Sequence, residues 1–315
     1  MLTRRHIRVK VMQGIYALIQ SKDDSLQKQE KFLKVSIENT YTLYLLWLSL
    51  FAELHKRAAE QISLSANNYI KNVKSEFPDP KKFIQNRLLL QIAQNEQIQE
   101  ELSNRKLENW YLNEEYIKLI YKEILESDVY KSYMSSAESD YASDKELITE
   151  LFKTIIAPNE KIYDYFEDDK LTWVDDLPIV NTFLLKRLKK AKPTHTESYF
   201  LPELLKDDED MTFAKRLLSK TLLNNAALEK EIEGKTPNWD KDRIADVDSI
   251  LLKMAICELL HFPSIPEKVT INEYLEIAKE YSTPKSSIFI NGILDKLTKE
   301  YKADGKLNKM GRGLL

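Results

Sequence analysis

The stretch Asp240-Lys-Asp-Arg-Ile-Ala-Asp-Val-Asp-Ser-Ile-Leu-Leu-Lys-Met-Ala-Ile-Cys-Glu-Leu-Leu-His-Phe-Pro-Ser-Ile-Pro266 decides the fold class. Ile244, Val247, Ile250, Leu251, Met254, Ile256 and Leu259 recur at helical spacing and give one broad apolar face. Asp240 opens the helix and Pro263 and Pro266 close it, because proline lacks the N–H a continuing helix needs. The same period runs outward in both directions. Upstream, Asp207-Asp208-Glu209-Asp210 supplies acids to the start of a helix carrying Phe213, Leu217, Leu218 and Leu222, where the macrodipole favours them. Downstream, Thr270 opens a helix over 271–281, and Ser282-Thr283-Pro284 opens another over about 285–302. At the N-terminus, Ile7, Val11, Ile15 and Leu18 line one helix face behind Thr3 as N-cap.

Between these parts the pattern stays helical. It predicts one long helix or a hairpin over 25–73, a break at Pro78-Asp79-Pro80, then helices near 81–103, 113–134, 143–156, 158–168 and 178–190. Lys190 to Glu197 reads as a polar linker, with a boundary near 192–206. Residues 306–315 have two glycines and no period, which predicts a frayed tail. No strand and no internal repeat is found, so the class is all-α.

Composition excludes much chemistry. Among 315 residues there are 6 glycines, too sparse for a Walker loop or a Rossmann fingerprint. The one G-x-G, Gly311 to Gly313, has no helix after it. One cysteine, Cys257, forms no internal disulfide and no multi-thiolate zinc site, and its apolar neighbours mark a buried thiol. His6, His55, His195 and His261 are scattered, without an H-E-x-x-H pattern, and no G-x-S-x-G occurs. No catalytic residue, metal ligand or cofactor is expected, and the chain is not expected to be an enzyme. The longest apolar run, Tyr41 to Ala52, is 12 residues, too short to span a bilayer. The N-terminus has no apolar core of a secretory signal, so a cytoplasmic protein without membrane partners is expected.

Charge is the functional signal. Residues 1–12 carry a net of +4, residues 296–315 another +4, and 13–295 a net of −11. Two basic ends on an acidic body suggest a localised contact with a polyanion. In the first helix Arg4, Arg5, His6, Arg8 and Lys10 crowd the first turns, away from the Ile7–Leu18 face. Cations at a helix N-terminus oppose the macrodipole and ask for a counter-anion. Guanidinium groups suit phosphate, and Tyr16, on the side of Arg5, offers a stacking face to an unpaired base. The bland alternative is a solvated basic helix end.

A resemblance sharpens this reading. Lys253-Met-Ala-Ile-Cys-Glu-Leu-Leu, Ile265-Pro-Glu-Lys-Val-Thr-Ile-Asn-Glu-Tyr-Leu-Glu-Ile-Ala-Lys-Glu-Tyr-Ser and Phe289-Ile-Asn-Gly-Ile-Leu-Asp-Lys-Leu resemble the signature of the NusB family of transcription antitermination factors. The opening Arg4-Arg5-His6-Ile7-Arg8 through Gln13-Gly14-Ile15-Tyr16 is similar to that family's arginine-rich first helix. The likeness covers about 1–20 and 206–302. It implies a NusB-like helical bundle that binds the boxA element of nascent ribosomal RNA. The implied partners are a small-subunit ribosomal protein, NusE, and the elongation complex with other Nus factors. By position it implies RNA contacts at Arg4, Arg5, His6, Arg8, Tyr16, Lys285, Phe289 and Asn291; the charge reading adds Lys10. Asn291-Gly292 in mid-helix suggests close packing or a ligand approach. The resulting division is the arginine helix 1–20, an inserted helical region 21–205 of unassigned role, the main NusB-like helices 206–302 and a basic flexible tail 303–315. The insert has no counterpart in short family members. Two alternatives remain: a helical protein–protein adaptor with weak or no RNA binding, and a stand-alone relative of the NusB-like domain of ribosomal RNA cytosine methyltransferases. The latter enzymes need glycine-rich and paired-cysteine motifs that this sequence does not contain.

Overall fold

A computed structural model describes residues 1–21, 25–67, 77–233, 235 and 245–310. The described residues are helical, without a strand. They form two compact units: Met1–Ile37 with Leu204–Leu315, and Glu38–Glu203.

In chain order the helices are α1 Arg4–Ser21, α2 Leu26–Asn67, α3 Arg87–Ala93, α4 Glu96–Asn104, α5 Asn109–Leu112, α6 Glu114–Glu126, α7 Asp128–Ser135 and α8 Tyr141–Leu151. A π-helical turn, Phe152–Ile156, follows. Then come α9 Glu160–Asp169, α10 Thr172–Lys190, α11 Asp208–Leu223, α12 Asn225–Glu233, α13 Asp246–His261, α14 Glu267–Tyr281 and α15 Ser286–Ala303.

The first unit is organised around α13. Ile250, Leu251, Leu252, Met254, Ala255, Ile256, Cys257 and Leu259 are all at most 1% exposed. A helix buried this far round needs neighbours on every side, and α1, α11, α12, α14 and α15 all pack on it. Of the helix predicted from Asp240, residues 246–261 are helical, and 240–244 lie outside the described residues. Asp207 caps α11, its carboxylate accepting from the Asp210 N–H at 3.2 Å. The tail is a correction. Lys309 Nζ donates to the carbonyls of Glu258 at 3.1 Å and Phe262 at 3.0 Å, and the Met310 N–H donates to the Pro263 carbonyl. Residues 306–310 are thus docked, because the last carbonyls of α13 need donors and a cation suits that end. Residues 311–315 lie outside the described residues.

The second unit wraps α3–α10 around α2, whose Leu43–Leu48 are at most 1% exposed. Its centre is aromatic. Trp47 meets Phe166 edge-on at 5.1 Å and Phe152 at 5.6 Å, and Phe166 meets Trp173 at 5.6 Å. The region expected as one helix over 81–103 is two. Asn86 and Asn95 each cap a helix, accepting from Leu89 N–H at 3.0 Å and Ile98 N–H at 2.9 Å. Ser127 likewise divides 113–134, its hydroxyl accepting from the Tyr130 N–H at 3.2 Å. Side-chain caps in mid-pattern compete with helix continuation. The polar linker expected over Lys190 to Glu197 runs into a short ordered turn, and the division between the two units, after Glu203, falls within the boundary expected near 192–206. Glu197–Phe200 is a 3₁₀ turn, Phe200 is 2% exposed, and the Tyr44 hydroxyl donates to the Phe200 carbonyl at 2.8 Å.

Candidate nucleic-acid interface

At the start of α1, Thr3 and His6 close the helix end. The Thr3 N–H donates to His6 Nδ1 at 3.1 Å, so His6 fills the role Glu or Gln plays in a capping box. Burial, then the neighbouring Arg5 charge, lowers the His6 pKa, which keeps Nδ1 an acceptor.

The arginines find their counter-anions inside this chain. Arg4 Nε donates to Asp210 at 3.0 Å. Arg5 forms a two-pronged pair with Glu273, at 3.0 and 2.9 Å. Arg8 does the same with Glu258, at 2.8 and 2.7 Å. The Arg8 and Glu258 side chains are 2% and 0% exposed. Thr270 Oγ1 at 2.8 Å and the Tyr274 hydroxyl at 3.2 Å also donate to Glu258, so the carboxylate accepts four hydrogen bonds. The guanidinium lies between the Phe213 ring at 5.1 Å and the Tyr274 ring at 5.8 Å. Burial opposes the Arg8 charge, but the Glu258 carboxylate outweighs it and raises the Arg8 pKa. The same surroundings raise the Tyr274 pKa, burial first and the Glu258 charge next.

Two expected RNA contacts are therefore corrected. Arg8 and Lys10 are each 2% exposed and sit inside the bundle, not off its apolar face. The reason is that α1 is covered on several sides: Ile7 through Met12 are all buried, whereas a single-face pattern predicted burial of Ile7 and Val11 alone within that stretch. Arg4 and Arg5 stay part-exposed, at 38% and 40% of their side chains. With His6 they line an open cleft of about 620 Å³, closed on its other side by Ser264, Ile265, Pro266 and Glu273.

The remaining candidates lie on the C-terminal half of α1, which holds Tyr16, and at the start of α15, which follows Lys285 and holds Phe289 and Asn291. Arg5 and Tyr16 are about 16 Å apart along the helix axis at 1.5 Å per residue. Gln20 Nε2 donates to Asp246 at 3.3 Å, while the Ser286 and Ser282 hydroxyls donate to Asp248 at 2.7 and 2.6 Å. The start of α13 thus ties the end of α1 to the start of α15. On this end Tyr16 is 41% exposed, Lys285 and Asn291 are exposed, and Phe289 is part-exposed. Ile288, not singled out from the sequence, is 75% exposed and stands three positions from both Lys285 and Asn291. A Cβ added at Gly292 would meet no atom within 4 Å. That overturns close packing as the reason for this glycine and leaves an open helix face. The counter-anions Asp210, Glu258 and Glu273 were also missed. Glu258 alone carried a signal, an acid inside Ile256-Cys257-Glu258-Leu259. Cys257 is buried as expected, and burial pushes its thiol up to about 11, away from nucleophilic use.

These features define a class: an all-α protein with an arginine-led helix at the heart of its bundle. Among the described residues no group of three or more His, Cys, Asp or Glu could hold a metal ion, and no helix is long and apolar enough to cross a membrane. The family model of the NusB family matches residues 179–299. The transcription antitermination protein NusB of Salinibacter ruber is 44% identical over 111 residues, covering 34% of this chain and 69% of its own. That of Geotalea daltonii is 40% identical over 116 residues, covering 37% and 77%. That of Chloroherpeton thalassium is 38% identical over 129 residues, covering 41% and 61%. A solved structure of NusB from T. maritima is 34% identical, covers 36% of this chain and 81% of that one, and has a TM-score of 0.30. The chain belongs to the NusB family.

Proposed function

We propose that the protein is a non-enzymatic transcription antitermination factor that binds boxA-type single-stranded RNA in nascent ribosomal RNA. In this reading it acts with a small-subunit ribosomal protein, NusE, and the elongation complex with other Nus factors, in the cytoplasm. The carrying observation is the 44% identity over 111 residues to a transcription antitermination protein. The exposed end of the bundle supports it. Tyr16 offers a ring, Lys285 a charge, Asn291 an amide and Ile288 an apolar contact, a mixture suited to unpaired bases on a phosphate backbone. Phe289 adjoins Ile288 in α15, and Arg4, Arg5 and His6 offer a second set of contacts at the cleft by the start of α1. Arg8 acts here by holding α1 in the bundle through Glu258, and Arg8 and Lys10, both buried, are left out of the RNA contacts.

One observation favours a second reading, the helical adaptor. Arg4 and Arg5 are already paired with Asp210 and Glu273, so RNA phosphate must compete with carboxylates of the same chain. An electrophoretic shift with boxA RNA, with and without NusE, decides between them. A shift that tightens with NusE is expected. No shift in either case, together with retained NusE binding, refutes the RNA reading and leaves the adaptor.

A further inference from the structure

The unit Glu38–Glu203 holds 28 acidic and 21 basic side chains, a net of −7. Its charge is unevenly placed. Residues 177–196 contain no acid, yet Lys186, Arg187, Lys189, Lys190 and Lys192 fall within seven positions of one another, followed by His195. These side chains line one open cleft of about 700 Å³ at the end of α10, with Lys145 of α8 joining them. Lys186, Lys189, Lys190 and Lys192 are exposed, and none of the four pairs with an acid among the described residues.

The walls between the cations are aromatic. Arg187 lies over the Phe183 ring at 5.4 Å and the Tyr199 ring at 4.7 Å. His195 stacks on Tyr199 at 3.8 Å with the planes 20° apart. Two bonds fix this stack. The Tyr199 hydroxyl donates to the Arg187 carbonyl at 2.8 Å, and the Lys192 N–H donates to His195 Nδ1 at 3.1 Å. Cations in the last turn of α10 complement its macrodipole, which accounts for Arg187, Lys189 and Lys190. It does not account for Lys186, Lys192 or Lys145, nor for the ordered ring pair. Crowded like charges call for a polyanion. Part-exposed ring faces beside them suit a ligand that carries bases on its phosphates, which an acidic peptide or a lipid headgroup does not.

We propose that this cleft is a second binding site for single-stranded RNA, separate from the α1 face. Lys186, Lys189, Lys190 and Lys192 hold successive phosphates, and a base stacks on the His195–Tyr199 pair. The site gives the inserted unit a role of its own: gripping RNA without regard to the boxA sequence.

The test uses the full chain and a fluorescein-labelled 12-nucleotide single-stranded RNA lacking boxA, read by anisotropy across a salt series. Lys186→Gln/Lys189→Gln/Lys190→Gln should weaken binding at least tenfold and lower the log–log salt slope by about 2, since each single-strand phosphate contact contributes about 0.7. His195→Ala should weaken binding by about 5- to 100-fold with the slope unchanged, the signature of stacking. Circular dichroism confirms that both variants fold, and the lysine positions are exposed enough to accept glutamine. Parental affinity and slope in the lysine variant overturn the proposal. So does equal or tighter lysine-dependent binding of phosphatidylglycerol vesicles or polyglutamate with no effect of His195→Ala, because charge alone then explains the cleft. Because the probe lacks boxA, failure of the α1 reading leaves this result intact.

Discussion

Replacing Arg8 by alanine should unfold the first unit well before it touches RNA binding. The substitution removes both hydrogen bonds that Arg8 makes to Glu258, at 2.8 and 2.7 Å, and leaves a carboxylate with 0% exposure held only by Thr270 and Tyr274. It also empties the slot between the Phe213 and Tyr274 rings. Removing one partner of a buried pair costs about 3–5 kcal/mol, because the other charge stays behind without compensation. For a unit of roughly 150 residues, Met1–Ile37 with Leu204–Leu315, each kcal/mol moves the melting midpoint by about 2–4 °C, so the expected fall is about 6–20 °C. Far-UV circular dichroism on heating measures it. The companion Arg8→Met/Glu258→Met, which removes both charges, should recover most of the loss, since an apolar pair of similar volume often equals a buried ion pair. At a temperature where Arg8→Ala is folded, its RNA salt slope should match the parent. A midpoint within 2 °C of the parent, or a slope lower by about 0.7 as for one lost phosphate contact, would refute the buried role.

Four further outcomes are expected. Arg4→Ala/Arg5→Ala removes two part-buried pairs, so it should cost more than the roughly 1 kcal/mol ceiling of an exposed pair but less than Arg8→Ala, and should lower the boxA salt slope by about 1.4, read by anisotropy. Tyr16→Ala should cost about 1–3 kcal/mol of boxA affinity at unchanged slope and nearly unchanged melting, and parental affinity would remove stacking from this face. Gly292→Ala should raise stability by about 0.5–1 kcal/mol, because the new methyl meets no neighbour and the helix interior gains an ordered residue; a lower melting midpoint would contradict the open face. For His6, whose pKa is lowered by burial, the unfolded chain takes a proton near the ordinary value of 6.5 while the folded chain does not. Stability should therefore fall as pH drops below about 6.5, and His6→Gln, which keeps an acceptor for the Thr3 N–H, should reduce that fall in a pH series of urea titrations.

Apolar spacing made α1, α11, α13, α14 and α15 legible, because each buries a stripe or more of branched and aromatic side chains against its neighbours. Thr3 and Asp207 were legible as helix starts for the same local reason, an oxygen or acid at the head of a periodic run. The caps at Asn86, Asn95 and Ser127 were missed because asparagine and serine also sit unremarked on solvated helix faces; only the neighbouring chain, such as the Glu197 carbonyl that receives Asn95 Nδ2 at 3.0 Å, turns them into breaks. Arg8 was misplaced for a stronger reason. Nothing local distinguishes an arginine that reaches water from one that reaches a buried carboxylate 250 residues away. Lys186 to Lys192 suffered the opposite fate. The sequence pattern places Lys186 to Lys189 in the helix over 178–190 and Lys190 and Lys192 in the polar linker to Glu197, so the run is divided between two elements, and only the stacked His195 and Tyr199 make it one cleft.

The separation between Arg8 and Glu258 has a consequence for synthesis. A ribosome adding about 5–20 residues per second takes roughly 12–50 s to travel the 250 positions between them. Throughout that interval α1 lacks the helices that cover Ile7, Val11 and Ile15, while Glu38–Glu203, contiguous in the chain, is made in full. The contacts of the end made earliest are therefore among the last that can close, since Glu258 and Glu273 follow the whole of Glu38–Glu203 in the chain. The basic side chains of α1, which burden it as an isolated helix, meet their counter-charges only when the carboxylates of α11, α13 and α14 have been made.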